Sequence, residues 1–436
     1  MFSKRRWSGT PAQCTAPRAR RRTLRAARCL PLLLLLSLTA ACGFPRPPDV
    51  PDDTEGGCTR DADCGGSAPY CLDRACVVCK DSTTCPAARP VCDAASHGCR
   101  TCTRDSDCDS GACDLAAGTC VDQGAILYAS PAGTAAGVCT QAAPCSFRRA
   151  AELVDPGRRY LVLRPGRYTG GAQFTGKTAI IAANGATMEF ADSNRSPIEI
   201  SDRSSIQIRD LNLEEHLANL SSDDVAVIVS SMSDVSFDNL RSETTQLYAA
   251  YGGNLTIRRS SFTGPSLQAP RLIVDGCVFH SGGPFAAGSI EITNSVVISN
   301  ATQGSIDIRS TDPSHPRSEI AHNTFVGGAG ISCEATSTGT RQFNSNIFYN
   351  LATIQAPSGC EYQYNLFVPG GTIGGIGNTI GDPRFVDAAH GDFHLQPGSA
   401  AIDTADPVTA VTGRDFDGTP RPQGTRADIG AFEYVP

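Results

Sequence analysis

The sequence is poor in the residues that usually mark binding and catalysis. It has one tryptophan, three methionines and seven histidines in 436 residues, and only 6% of it is aromatic. The single Trp7 falls near the start, so the rest of the chain has no indole ring on which to stack a ligand. The histidines are scattered, and neither H-E-x-x-H nor G-x-S-x-G occurs. A zincin or a serine hydrolase therefore has no support. Long apolar runs are missing as well. Residues 30–41 make a run of about a dozen, where a helix that spans a bilayer needs about 20. Basic charge is scarce beyond the first residues. Residues 1–41 hold Lys4 and eight arginines with no acid, a charge of +9, so a formal net charge of −7 leaves −16 on the remainder. A body that acidic excludes a nucleic-acid binder, which needs a basic patch or stripe.

Cysteine, glycine and proline are abundant, at 20, 43 and 28 residues. Twenty cysteines are too many for a reduced cytosolic protein. Twelve of them form three units of four: Cys58, Cys64, Cys71, Cys76; then Cys79, Cys85, Cys92, Cys99; then Cys102, Cys108, Cys113, Cys120. Each unit opens C-x5-C, and the units join through C-x2-C. A regular, even set outside the cytosol reads as six disulfides over residues 58–122. Large apolar residues are few there, so cross-links must replace a core. Spacing does not say which cysteine pairs with which; pairing within each unit is the simplest arrangement. Cys76-x2-Cys79 and Cys99-x2-Cys102 also fit zinc-ribbon spacing, but zinc would leave eight cysteines unexplained. Asp61/Asp63 and Asp105/Asp107/Asp109 have the alternation of a calcium loop. No glutamate closes it, so solvated turn acids are the preferred reading, and no cofactor is expected.

From residue 127 the composition shifts to Ile, Val, Phe, Ser, Thr, Asn and Gly. An apolar–x–x–stacked–x–apolar pattern recurs, with Leu211, Leu240, Ser260, Cys277, Ser295, Asn323, Asn346 and Asn365 at the stacked position. These positions lie about 22 residues apart on average, with no helical pattern between them. Short strands at this period predict a right-handed parallel β-helix over residues 127–436, an all-β solenoid preceded by the small disulfide-rich module. Propeller blades would need about 40–50 residues each. Asn323, Asn346 and Asn365 are expected to form an amide ladder at a sharp turn. A short helix is expected over 146–154, within an N-terminal cap at 127–155, with a local Cys139–Cys145 disulfide. Cys333 and Cys360 are placed to bond across neighbouring coils.

The residue after the first inward apolar position gives a column of Arg209, Asp238, Arg258 and Asp275. The preferred reading is an alternating ion ladder. The catalytic alternative makes Asp238 and Asp275 acids or calcium ligands and Arg258 or Arg259 the base. Glu214, Glu215, His216, Asp223 and Asp224 fall in the longest excursion between coils and read as solvated. Residues 171–178 match the P-loop pattern letter for letter. A strand, not a helix, follows, so no nucleotide is expected.

Four stretches resemble known families. Residues 38–42, Leu-Thr-Ala-Ala-Cys after a Leu run and a basic start, resemble the lipobox of bacterial lipoproteins, with Leu one place early. The resemblance implies a signal peptide at 1–41 and lipid on Cys42. Gly43, rather than Asp, implies the outer membrane or cell surface. Residues 42–57, rich in Pro and Asp, would be a solvated tether. The cysteine units resemble the Cys-rich repeats of bacterial surface lipoproteins. "LYASPAGTAAGVCTQAAPCSF" with "LRPGRYTG" is similar to the opening of bacterial β-helix proteins of the pectate-lyase-like type, a fold that hosts polysaccharide lyases and hydrolases. Residues 381–436 resemble the end of choice-of-anchor Q domain proteins, through Asp392, Ser399, Asp403, Asp415, Asp417, Gly418, Arg421, Asp428, Gly430 and Glu433. That resemblance implies a fold and a surface-anchor class and brings no catalytic set. The expectation is a lipid-anchored surface protein whose β-helix serves a structural, adhesive or glycan-binding role. A polysaccharide lyase or glycoside hydrolase is the alternative.

Overall fold

Each cysteine unit folds into one short 3-10 turn and one two-stranded hairpin, pinned by two crossed disulfides. The computed structural model describes residues 57–436 except 191–197, 216–226, 231, 243–247, 250–252, 264–266, 281–284, 300–305, 311–316, 329, 335–339, 356–357, 369–373 and 409–412. Cys42, the tether, His216, Asp223 and Asp224 lie outside the described residues. In every unit the first cysteine bonds the third and the second bonds the fourth: Cys58–Cys71 and Cys64–Cys76, Cys79–Cys92 and Cys85–Cys99, Cys102–Cys113 and Cys108–Cys120. Both cysteine pairs of the zinc-ribbon spacing are thus consumed as disulfides.

Asp61, Asp63 and Asp109 are exposed, while Asp105 and Asp107 are drawn in, and four of these five acids also hold main-chain amides. Asp61 Oδ1 accepts the Cys71 amide at 2.8 Å, and Asp105 Oδ1 accepts the Cys113 amide at 2.8 Å. Ser82 Oγ takes the equivalent place in the second unit. Asp63, Thr84 and Asp107 likewise accept the amides of Thr59, Lys80 and Thr103. The alternation that suggested calcium is a repeated backbone-capping device.

The remainder is a parallel β-helix. In the first sheet, strands Ile126–Thr134, Tyr160–Leu163, Thr178–Phe190, Ser205–Glu215, Asp234–Asp238, Asn254–Arg258, Leu267–Asp275, Phe285–Thr293, Arg317–Ala321, Thr340–Asn344 and Cys360–Gln363 pair in parallel, one per coil. A second sheet continues each coil, for example through Val296–Ile298, Thr324–Val326, Ile347–Tyr349 and Leu366–Val368. A third begins with Ala172–Thr175, Ile198–Ser201 and Val227–Val229. Crossovers between parallel strands take the right hand. Alternation sends Ile181, Ile208, Phe237, Ile257, Val274, Ile292, Ile320 and Phe343 inward, all nearly inaccessible to solvent. Rings stack on rings one coil apart, as Phe343–Tyr362 at 4.5 Å and Phe348–Phe367 at 5.1 Å.

The chain leaves the first sheet for the second through one left-handed residue per coil: Asp210, Asn239, Arg259, Gly276, Asn294, His322, Ser345 and Tyr364, with φ between 48° and 62°. The stacked residue follows it. Asn323, Asn346 and Asn365 join side chain to side chain, Nδ2 to Oδ1, at 3.0 and 3.1 Å, and Asn378 extends the ladder at 3.2 Å. Each amide also serves the main chain, as where Asn346 Nδ2 donates to the Ile320 carbonyl. Free Cys277 sits in the same column, fully buried, and burial pushes its thiol up to about 12.

The helix Phe147–Leu153 has Ser146 as N-cap, its Oγ accepting the Arg149 amide. Cys139–Cys145 and Cys333–Cys360 are both bonded. The described residues of 381–436 run back along the flank of the solenoid. Their Phe393, Ala401, Ala427, Ile429, Ala431 and Phe432 pack on the outward side of the second sheet at Val296, Ile347 and Leu366. Gly430 adopts φ 98° there, and a Cβ would stand 2.6 Å from Ile347 Cδ1, so only glycine permits that approach. Residues 57–436 form one compact unit. Among the described residues no helix is long and apolar enough to cross a membrane.

Candidate functional site

The outward side of the first sheet changes character along the axis, and that change defines the site. The central outward column runs Ile126, Tyr160, Ile180, Gln207, Ser236, Thr256, Ile273, Glu291, Glu319, Gln342 and Glu361. Its first part is apolar and covered: Ile126 and Tyr160 cluster with Ala112 of the third cysteine unit, and Val121 and Ile180 pack against them. Its last part is acidic. Between the two lies a groove of about 500 Å³ over five coils, from Thr178 and Ile180 to Arg271 and Ile273. Gln207, Ser236 and Thr256 form its floor, with Ser205, Asp234 and Asn254 along one side.

These groups are offered by the register. Parallel strands repeat at about 4.8 Å, so each coil presents one polar side chain per step along a straight line. Asn254 Nδ2 donates to Asp234 Oδ1 at 2.8 Å, which ties up the acid on the groove's flank. Gln207 Oε1 accepts from Arg209 Nη2 at 2.9 Å, so what Gln207 offers a ligand is its amide N–H groups. The floor is uncharged, with Gln207, Ser236 and Thr256 between Ile180 and Ile273, and the charged groups of the groove, Asp234 and Arg271, stand along its side.

The neighbouring column places Arg209, Asp238, Arg258 and Asp275 opposite one another on successive strands. They do not pair as an alternating ladder, because Arg209, Asp238 and Asp275 each find a partner off the column. Arg209, buried, donates from Nη1 to Asp105 Oδ1 at 3.1 Å and to the Cys113 carbonyl at 3.0 Å. Asp238 pairs with Arg259 of the adjacent turn. Asp275 Oδ1 accepts from Thr293 Oγ1 at 2.9 Å and Asn294 Nδ2 at 3.0 Å. Arg258 is exposed. Burial pushes the Asp238 carboxyl above its ordinary range, with Arg259 opposing. Burial likewise raises that of Asp105. Asp238 Oδ1 has no hydrogen-bond partner. Among the described residues, the trios of His, Cys, Asp and Glu close enough to share a metal are all cysteine sets, and all are disulfide-bonded. The carboxylates of this column do not converge.

The P-loop match has a different use. Lys177 Nζ donates to the Val154 carbonyl at 2.7 Å and the Glu152 carbonyl at 3.3 Å, closing the C-terminus of the short helix. Glu214 pairs with Arg167 at 2.8 Å rather than standing solvated.

Within residues 381–436, Asp415, Arg421, Asp428 and Glu433 of the motif form a buried polar lock, while Asp392 and Asp417 hold the exposed His394. Arg421 and Glu433 pair at 2.9 Å with both side chains 0% exposed. Arg421 also donates to the carbonyls of Asp428 and Gly430. Asp428 accepts the amides of Asp403 and Tyr434, and Asp415 accepts that of Glu433. Burial pushes the Asp428 carboxyl up to about 6. His322, on the solenoid, donates from Nδ1 to the Asp428 carbonyl at 3.1 Å, and burial pushes its imidazole down to about 3.

Sequence reasoning missed Asn378, Asp105 as a partner of Arg209, and the groove itself. No protein-family model matches the chain, and no curated protein matches it. Among solved structures, the chain is similar to the pectate lyase Pel9A, at 15% identity and a TM-score of 0.44, over 71% of this chain and 96% of that one. No residue role is carried across from it.

Proposed function

We propose that this is an exported, lipid-anchored protein that presents its β-helix at the cell surface and binds neutral glycan chains in the groove over Gln207, Ser236 and Thr256, without catalysis. The observation that carries the reading is the neutral hydroxyl and amide floor, repeated at the strand spacing, which is close to the length of one sugar unit in an extended chain. Arg271 is the one cation in the groove's lining, and the acidic residues that follow the groove, Glu291, Glu319 and Glu361, oppose a polyuronate that runs on along the sheet, which favours an uncharged polysaccharide. The anchor rests on residues 38–42 of the sequence, with Cys42 as the lipidated residue and the cell envelope as partner.

Binding to immobilised neutral polysaccharides and to polyuronates, with and without calcium, tests the groove while released products are followed. Retention on a neutral glycan, lost about tenfold in Thr256→Arg, is expected. Preference for polyuronates, or release of unsaturated products, overturns the reading. The lyase or hydrolase alternative has one observation in its favour: the raised, half-satisfied carboxyl of Asp238 beside Arg259 and Arg258, with Asp275 two coils on. It requires turnover that Asp238→Asn abolishes. Cys42→Ala is expected to move the protein from the membrane to the soluble fraction; an unchanged distribution refutes the anchor.

A further inference from the structure

The groove has one open end and one closed end, and the third cysteine unit makes the closed one. The outward column does not stop at Gln207 but continues through Ile180, Tyr160 and Ile126. Tyr160 is 6% exposed and Ile126 1% exposed, because Ala112 and Val121 of the cysteine module lie over them. Gly111 approaches so closely that a Cβ would stand 3.2 Å from Val162. The wall is braced covalently, since Cys102–Cys113 and Cys108–Cys120 frame it. A chain lying along the floor meets this wall at Ile180, one coil beyond Gln207. In the other direction the column continues past Ile273 through the partly exposed Glu291 and Glu319, with no such cover among the described residues.

The wall also reaches into the floor. Asp105 of the module holds Arg209, and Arg209 holds the carbonyl oxygen of Gln207. Asp105 is 2% exposed and Arg209 6% exposed, so this relay is shielded from water and fixes the Gln207 amide with its N–H groups left for a ligand. We propose that the third disulfide repeat is part of the binding site: it terminates the groove and orients Gln207 through Arg209, so the site takes the end of a neutral polysaccharide chain and not an internal stretch. This rests on the neutral-glycan reading of the groove. Arg209 and Asp105 are positioning residues; Gln207 touches the ligand.

The test is calorimetric titration of the full exported chain with linear neutral oligosaccharides of increasing length, drawn from cello-, xylo-, manno- and malto-series. A site that takes chain ends gives one protein per chain at every length. An internal site gives a stoichiometry that rises with length, and that result overturns the proposal. Gln207→Ala is expected to weaken binding about tenfold, Arg209→Met by a similar factor, and the double variant no further. Additive losses overturn the relay. Unchanged tyrosine circular dichroism in Gln207→Ala separates a local effect from misfolding, and the stoichiometry is read on the unaltered protein. Absence of binding to all four series refutes the groove reading itself, and the end-recognition proposal falls with it; binding with the wrong stoichiometry refutes only the latter.

Discussion

Replacing Asn346 tests the ladder more sharply than any other substitution, because the protein contains its own control. Asn346 is 0% exposed and makes four contacts through its amide. Oδ1 accepts the Asn323 amide at 2.9 Å and Asn323 Nδ2 at 3.0 Å; Nδ2 donates to the Ile320 carbonyl at 2.8 Å and to Asn365 Oδ1 at 3.1 Å. Asn346→Ala leaves the buried Asn323 N–H without an acceptor, which costs about 1–3 kcal/mol, and removes further buried hydrogen bonds at about 1 kcal/mol each. The expected loss is about 4 kcal/mol. Asn346→Ser should cost less. Ser295 already fills the equivalent position, accepting the Cys277 amide at 3.1 Å and donating to the Thr293 carbonyl at 2.7 Å. A hydroxyl thus still accepts the preceding coil's amide but turns its own hydrogen to a carbonyl of its own coil, so it forfeits the Ile320 bond and the lateral amide links, about 2 kcal/mol. Urea unfolding followed by far-ultraviolet circular dichroism, with midpoints compared at equal slope, measures both. Equal losses in the two variants, or a loss under about 1 kcal/mol in Asn346→Ala, would refute the account.

Two further substitutions probe the lock on the C-terminal segment. Arg421→Met strands the buried Glu433 carboxylate and is expected to cost about 3–5 kcal/mol; limited proteolysis should then cut within residues 381–436 while the β-sheet signal persists. His322 faces Arg421, Asp406 and Asp428. Its folded-state pKa of about 3 lies below the unfolded 6.5, so the unfolded chain takes up a proton that the folded one refuses. Stability from this group falls as pH drops from 6.5 towards 3, by at most about 1.4 kcal/mol per pH unit. Asp428, raised to about 6, opposes that trend between pH 6 and 4, since the folded state protonates first. His322→Asn, which places at that turn the residue found at Asn294 one coil earlier, should flatten the acid loss; an unchanged pH profile counts against it.

The solenoid was legible because its two signals are local and periodic. Inward apolar residues two apart, followed at the turn by leucine in the early coils and by a small or amide residue from Ser260 onward, recur from coil to coil and need no knowledge of partners. Asn378 escaped because it follows a glycine-rich stretch with no apolar repeat around it. The pairing of Asp105 with Arg209 was invisible for a different reason: the two lie 104 residues apart, in segments of unrelated pattern, and nothing in either names the other. Asp105 and Asp107 look like surface acids in sequence, since the backbone amides they hold leave no letter to read. The groove was hidden because Gln207, Ser236 and Thr256 are ordinary outward residues of a strand. Arg421, Asp428 and Glu433 were noticed as a motif, but their shared burial depends on the segment lying against His322 and Ser345.

The crossed pairing of the cysteines also has a mechanical consequence. A load entering at Gly57 would travel through sulfur bridges for most of the module. From Cys58 the shortest covalent path crosses to Cys71 and reaches Cys76 within one hairpin, and the next two units repeat this route. Only Val77, Val78, Arg100, Thr101 and residues 121–125 lie outside the cross-linked loops. Pulling would therefore straighten these short joints and then stop, handing the force to the first coil almost undiminished. The module is built to be inextensible, and its last unit, seated on the sheet through Arg209, would carry the tension beside the groove.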